Sequence, residues 1–199
     1  MLYSVEGLRK DALLKKTAGN KIFVLDEAIE AYHNFSQDVG FDIFLSYRSL
    51  DADVAIALAK SFQHDFGYTV YLDRLIDPNL NPSSANKETA ECIRNRLRHC
   101  KCLVYANSVN SDSSRWMPWE AGFMDGQNRP VAILPITQTE RDAQSDTNKG
   151  LEYLSLYPYI SKDPIKGSSE MTLWTNESAN KYCTFHDWLR NGKKPVYKS

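Results

Sequence analysis

Two tryptophans and a glutamate at helical spacing form the stretch of this sequence that is best suited to chemistry. Trp116, Trp119 and Glu120 follow a loop rich in Ser, Asn and Asp, and Pro118 fits only an early position of a helix. Trp116 and Glu120 are four residues apart, so they share one face of that helix. An indole ring beside a carboxylate in the first helical turn offers a stacking surface and an anion next to unpaired N–H donors. The spacing predicts a binding or catalytic site here.

A second polar group follows a predicted strand. Residues 41–47 form a short apolar run that is typical of a buried strand, and Arg48 comes directly after it. The helix expected at residues 54–66 leaves unpaired N–H groups near Asp51. Together with Ser46 and Arg48, these N–H groups could bind a phosphate or a diphosphate.

Strands and helices alternate through the middle of the chain. Near-continuous apolar runs predict strands, and an apolar residue every three or four positions predicts a helix. Predicted strands lie at residues 41–47, 68–73, 101–106 and 131–136, and predicted helices lie at 54–66, at 87–99 and from Trp116. This alternation predicts an α/β fold with a doubly wound parallel sheet.

A flavodoxin-like strand order would bring the two polar groups together. In that order the first and third strands are neighbours, and ligands bind in the crevice at their carboxyl ends. The crevice would hold Ser46, Tyr47 and Arg48 on one side and residues 107–120 on the other. Glu120 would lie beyond a bound diphosphate, and an indole ring could stack on a flat base.

The ends of the chain are less regular. The chain divides into an N-terminal extension with helical patterns, one domain and a short tail, at residues 1–40, 41–190 and 191–199. Within the domain, residues 157–160 are expected to form a fifth strand at an edge, because the run contains a proline. We expect mostly loop at residues 161–180 and a closing helix at 182–190.

Composition restricts the partners and the compartment. The formal net charge is −1, from 24 basic and 25 acidic residues, so the chain lacks the charge of a protein that binds nucleic acid or an anionic membrane. No apolar run reaches the roughly 18 residues that span a bilayer, and the first residues lack the apolar core of a secretory signal. The four cysteines fit reduced thiols better than disulfides. We therefore expect a cytoplasmic protein.

Three segments together resemble the Toll/interleukin-receptor (TIR) domain of the bacterial kind. They are the strand at residues 42–47 with Asp51, the strand that ends in Asp73, and the segment 114–120 with its WxxxE-like pattern. The resemblance implies the TIR fold, with a flavodoxin-like, doubly wound sheet of five parallel strands. It also implies the activity of the enzymatic branch, in which the nicotinamide–ribose bond of NAD is cleaved. The products in that branch are nicotinamide and either ADP-ribose or a cyclic isomer.

The same resemblance assigns roles to residues. Glu120 is expected to be the catalytic residue, with NAD as the substrate and neither a cofactor nor a metal. The expected substrate-binding residues are Phe44, Leu45, Ser46, Tyr47, Arg48, Asp73, Asn107, Trp116 and Trp119. Residues 74–86 would match the family's BB loop, although this loop is longer and has Pro78 and Pro82 where a glycine-centred form is more common.

Partners are also implied by the resemblance. We expect a homo-oligomer formed through TIR–TIR contacts, in which a neighbouring subunit completes the site. Membership of a Thoeris-type anti-phage defence system would add a downstream effector that senses the nucleotide product.

A single carboxylate suits cleavage of NAD. Ordinary glycosidases need two carboxyl groups, because a poor alkoxide leaving group must be protonated. Nicotinamide in NAD is already cationic and leaves as a neutral molecule, so no general acid is required. An ionised Glu120 near the ribose could stabilise the oxocarbenium-like transition state.

Two other functions remain open at this stage. A non-catalytic TIR scaffold would act by homotypic assembly, with Glu120 serving only as a helix-start acid. A nucleoside deoxyribosyltransferase has a related fold with a carboxylate at this crevice, and it would turn over deoxynucleosides and ignore NAD.

Overall fold

Nine strands form one mixed sheet in the part of the chain that the structure describes. The computed structural model describes residues 1–17, 40–72, 86–144 and 152–197. The strands are β1 (Tyr3–Ser4), β2 (Phe41–Ser46), β3 (Val70–Tyr71), β4 (Cys100–Asn107), β5 (Val131–Thr137), β6 (Tyr159–Pro164), β7 (Met171–Ser178), β8 (Lys181–Thr184) and β9 (Val196–Tyr197). Their order is β3-β2-β4-β5-β6-β7-β8-β9, and β1 pairs with β5 outside this path.

Five parallel strands at the centre confirm the predicted flavodoxin-like sheet. Strands β3, β2, β4, β5 and β6 run parallel to one another, and β2 lies directly beside β4. All six residues of β2 are buried, as expected for a strand covered by helices on both faces. The carboxyl ends of β2 and β4 therefore meet at one edge of the sheet, where the predicted crevice lies.

Five helices flank the sheet in the described residues. They are α1 (Val5–Thr17), α2 (Ala52–His64), α3 (Lys87–Arg98), α4 (Trp116–Gly126) and α5 (Phe185–Asn191). The crossover through α2 runs from β2 to β3, and those through α3 and α4 run in the opposite direction along the sheet. Because such crossovers are right-handed, α2 lies on one face and α3 and α4 lie on the other. None of the described helices is long and apolar enough to cross a membrane.

The prediction for the end of the domain was partly wrong, although the expected fifth strand and closing helix are present as β6 and α5. Strand β6 is an interior strand between β5 and β7, whereas an edge strand was expected. Strand β7 lies where loop was expected, and it pairs antiparallel with β8, which covers the first residues of the expected closing helix. Pro158 lies just before β6, so its missing N–H takes no hydrogen-bond donor from within the strand. Its carbonyl still accepts a hydrogen bond from the Ile133 N–H of β5. Strand β7 has few apolar residues, and two of its buried residues, Thr175 and Asn176, are polar. Its sequence therefore lacks the apolar alternation that predicts a strand.

The N-terminal extension joins the sheet as well as packing on it. Strand β1 pairs with the end of β5, with Tyr3 opposite Ile136, and the Met1 carbonyl accepts a hydrogen bond from the Lys162 N–H. Helix α1 matches the helix expected near the start of the chain. The second helical pattern of the extension, around residues 29–33, lies outside the described residues.

Candidate active site

The Glu120 side chain is buried at the carboxyl edge of the sheet. Its exposed fraction is 2%, and its Oε2 atom accepts a hydrogen bond from Ser46 Oγ at 2.5 Å. Ser46 is the last residue of β2, and Glu120 lies on the buried face of α4 with Met117 and Ala121. Residues from two distant parts of the sequence therefore meet at this edge of the sheet.

The start of α4 differs in one respect from the prediction. The helix begins at Trp116, so Glu120 lies in the second turn, and the first turn contains no acidic residue. The helix dipole acts mainly on the first turn, so the hydrogen bond from Ser46 is the larger local influence on this carboxylate. Ser114, in the polar loop just before the helix, caps its start, because the Ser114 Oγ atom accepts a hydrogen bond from the Met117 N–H at 3.3 Å.

Tyr105 lies beside this pair and was missed by sequence reasoning. It is opposite Ser46 in the register of β2 and β4, so both side chains point to the face that α4 covers. Burial raises the pKa of Tyr105, and the neighbouring Tyr153 hydroxyl and the charges of Asp112 and Glu120 raise it further. The phenol therefore stays protonated and remains a hydrogen-bond donor next to the carboxylate.

The two polar loops predicted to converge do so through Asp51. Its carboxylate accepts a hydrogen bond from Ser108 Oγ at 2.6 Å and another from Asn110 Nδ2 at 2.6 Å. Asn107, at the end of β4, accepts a hydrogen bond from Ser111 Oγ at 2.8 Å. These contacts join the segment after β2 to the segment after β4 at the rim of the crevice.

Arg48 borders the crevice on the β2 side. It is half-buried, and its Nε–H is shielded from solvent without a hydrogen bond to any residue in the described parts of the chain. A buried donor of this kind is costly unless it is satisfied. Arg48 therefore has a donor to offer to an anionic group, and its role in substrate binding stays a prediction.

The aromatic side chains of α4 face helix α3. The Trp119 ring packs edge-on against Trp116 at 5.3 Å and stacks with Phe123 at 6.0 Å between ring centroids. The Arg94 guanidinium of α3 lies 5.4 Å from the centre of the Trp119 ring. Trp119 therefore packs between helices α3 and α4. It is adjacent to Glu120 in the sequence, so the two side chains lie on different faces of α4.

The remaining predicted site residues fall into two groups. Phe44, Leu45 and Tyr47 are buried in the core, with exposed fractions of 5% or less, so a ligand at this edge reaches their backbone before their side chains. Asp73 lies outside the described residues, as does the predicted BB loop except for Asn86. Asn86 caps α3 by accepting a hydrogen bond from the Thr89 N–H at 2.7 Å. No cluster of possible metal ligands occurs among the residues that the structure describes.

Sequence comparison agrees with this architecture. The family described as TIR domain matches residues 43–166, from β2 to just beyond β6. The chain belongs to the TIR domain family. A Bacillus cereus (strain MSX-D12) protein named "Probable 3′ cyclic ADP-D-ribose synthase ThsB′" is 42% identical to this TIR protein over 161 residues, which cover 81% of each chain. Strands β7 to β9 and helix α5 lie beyond the part that matches the TIR domain.

Proposed function

We propose that this TIR protein cleaves the nicotinamide–ribose bond of NAD, releasing nicotinamide together with ADP-ribose or a cyclic isomer of it. The observation that carries the proposal is the buried Glu120 carboxylate, held by Ser46 at the carboxyl edge of the parallel sheet. The Bacillus cereus relative, which is named as a probable cyclic ADP-ribose synthase, supports the same substrate class.

The chemistry needs one anion and a shielded site. The C1′–N bond breaks, its electron pair passes to the pyridinium nitrogen, and nicotinamide leaves as a neutral molecule. Glu120 stabilises the positive charge that develops on the ribose, and burial strengthens this interaction. Water then attacks C1′ and loses a proton to give ADP-ribose. A hydroxyl or ring nitrogen elsewhere in the same molecule can attack instead, and this closes a cyclic product.

Ser46 holds the carboxylate in position. Replacing Ser46 by Ala removes the hydrogen bond to Glu120. We expect kcat for NAD cleavage to fall about 10- to 100-fold, because this factor corresponds to the free energy of one hydrogen bond to a charged group. The matched control is Ser61→Ala on α2, which removes another Ser–carboxylate hydrogen bond, to Asp65 just after the helix and outside the crevice. Steady-state rates of nicotinamide release measure both. Equal rates in the two variants would contradict the assigned role of Ser46.

Arg48 is proposed to bind the diphosphate of NAD. Replacing it by Ala should raise KM about 10- to 100-fold with a smaller change in kcat, because a charge-assisted hydrogen bond to a non-reacting group is lost. Arg141→Ala, at an exposed arginine, is the control and should leave KM unchanged. A normal KM in the Arg48 variant would remove this residue from the binding site.

The cellular role follows from the product. We propose that the protein works in the cytoplasm as part of a Thoeris-type anti-phage defence, and that a separate effector senses the released nucleotide. Homotypic TIR contacts are expected to complete the site. Specific activity should therefore rise with protein concentration, and a specific activity independent of concentration would count against assembly.

One experiment separates the candidate functions. The purified chain is incubated with NAD, and the products are resolved by chromatography and weighed by mass spectrometry. Nicotinamide together with a product lighter than ADP-ribose by one water molecule would indicate cyclisation, and ADP-ribose itself would indicate hydrolysis. Parallel incubations with deoxynucleosides test the deoxyribosyltransferase. Absence of any turnover over a wide range of protein concentrations would favour the non-catalytic scaffold.

A further inference from the structure

Asp51 is a buried acid at the start of α2 that makes no helix cap. It lies in a short 3₁₀ turn, Ser49–Asp51, and is 7% exposed, and its side chain accepts no capping hydrogen bond from α2. An aspartate at this position would ordinarily accept a bond from the helix N–H groups. Its carboxylate instead reaches across the crevice to the segment after β4.

The partner segment is folded around Ser108. The Ser108 hydroxyl donates to Asp51 Oδ2 and accepts the Asn110 N–H at 3.1 Å, and Asn110 Nδ2 donates to Asp51 Oδ1. Ser111 Oγ lies 2.7 Å from the Ser108 carbonyl and 2.8 Å from Asn107 Oδ1. We call the contacts of Asp51 with Ser108 and Asn110 the loop clasp.

The loop clasp joins the two sides of the candidate site. Asp51 is three residues beyond Arg48 in the sequence, and Ser108 directly follows Asn107. The Asp51 N–H also donates to the Arg48 carbonyl at 2.8 Å, so the backbone at Asp51 is tied to that of the arginine. A change in the clasp would shift Arg48 relative to Asn107 without touching the Ser46–Glu120 pair.

A buried carboxylate held by two neutral donors is an expensive way to gain stability. Removing the charge from water costs free energy that a hydroxyl and an amide only partly return. An apolar contact between the same two segments would stabilise the fold without that cost. The arrangement gives geometry instead, because two short hydrogen bonds fix both the distance and the orientation of the loops.

We propose that Asp51 is a positioning residue for NAD cleavage, which acts through the loop clasp to hold the Arg48 and Asn107 segments at the separation that the dinucleotide requires. The proposal rests on the proposed function, and it assigns to Asp51 no contact with the substrate.

An exchange of the acid and the amide tests it. Asp51→Asn places two amides opposite each other, and Asn110→Asp places two carboxylates opposite each other. We expect Asn110→Asp to lower kcat/KM for NAD about 10- to 30-fold, mainly through KM, since a hydrogen-bonded contact is replaced by a repulsive one. Asp51→Asn should have a smaller effect in the same direction, because two amides can still form one hydrogen bond while the charge-assisted contacts are lost. In the double variant, the amide introduced at position 51 donates to the carboxylate introduced at position 110, and its oxygen still accepts the hydrogen bond from the Ser108 hydroxyl. Activity should return to within about threefold of the original chain.

Ser113→Ala is the control for the loop, because it removes a hydrogen bond from Ser113 Oγ to the Asn110 carbonyl without touching Asp51. It should leave KM unchanged. Thermal unfolding of every variant separates a positioning role from a structural one.

Each outcome decides the proposal. Recovery of kcat/KM in the double variant supports it. Normal activity in both single variants overturns it, and so does a double variant that regains thermal stability but not KM. An original chain that does not turn over NAD overturns the proposed function, and the clasp proposal with it, so the two failures are distinguished by the parent protein.

Discussion

Replacing Glu120 by Gln will lower the rate of NAD cleavage roughly 10³-fold and leave the protein folded. Gln has the shape of Glu, and its amide oxygen can still accept the hydrogen bond from Ser46, so the packing around this buried position is retained. The change removes only the negative charge. An uncharged side chain cannot stabilise the cation that develops on the ribose as nicotinamide leaves, so the loss should fall on kcat. Single-turnover release of nicotinamide measures it.

Glu170→Gln is the matched control. Glu170 is exposed in the turn between β6 and β7, and its replacement removes a charge without changing the crevice. Its kcat should equal that of the original chain. A Glu120→Gln protein that folds normally and keeps most of its nicotinamide release would mean that another group stabilises the transition state, and the assignment of Glu120 would be lost.

The framework of the site could be predicted because its signals are strong and local. A buried strand reads as a continuous apolar run, and the helix at Trp116 is marked by Pro118 and the serines before it. The doubly wound order then determines which strand ends are neighbours. That rule alone placed Ser46 near Glu120, two residues that are 74 positions apart in the sequence.

The details of the loops could not be predicted in the same way. Asp51 carries the usual signal of a helix cap, and the choice between capping α2 and bonding to Ser108 depends on the path of a loop that follows another strand. Tyr105 reads as one more apolar residue of β4 until the register with Ser46 is known. Sequence patterns report periodicity, whereas these roles depend on which loops and strands are close in space.

The antiparallel part of the sheet escaped prediction for a different reason. Strand β7 buries the polar side chains of Thr175 and Asn176, and Asn176 satisfies its amide by donating to the Tyr159 carbonyl and to Ser161 Oγ. Such strands are stabilised by hydrogen bonds to particular neighbours, so they show no apolar alternation. Strand β1 has only two residues, too few for any periodic signal.

Asp42→Asn should lower the free energy of unfolding by about 2 to 3 kcal/mol at neutral pH. Asp42 lies at the start of β2 and is 4% exposed. It accepts hydrogen bonds from Lys101 at 2.9 Å and from Arg190 of α5 at 3.0 Å, and a third from the Thr69 N–H. An amide keeps the backbone contact but loses both ionic ones, which tie the closing helix to the sheet. Chemical denaturation measures the difference.

The control is Asp53→Asn, at the ion pair between Arg9 and Asp53. Both side chains of this pair are more than half exposed, at 59% and 54%, so water already screens the interaction. We expect a loss of less than about 1 kcal/mol. A loss as large as that of the Asp42 variant would show that burial is not what gives the Asp42 contacts their value.

The effect of Asp42 should also depend on pH in a defined direction. Burial raises the pKa of the Asp42 carboxyl, but Lys101, the Thr69 N–H and Arg190 together outweigh burial and hold the pKa below its usual range. A carboxyl with a lower pKa in the folded protein contributes stability above its unfolded pKa of about 3.9, and this contribution disappears as the pH falls through the folded pKa. The difference in unfolding free energy between the original chain and Asp42→Asn should therefore be constant above about pH 5 and shrink in more acidic solution. Since Asn does not titrate, a difference that stays constant down to acid pH would contradict the ionic role of Asp42.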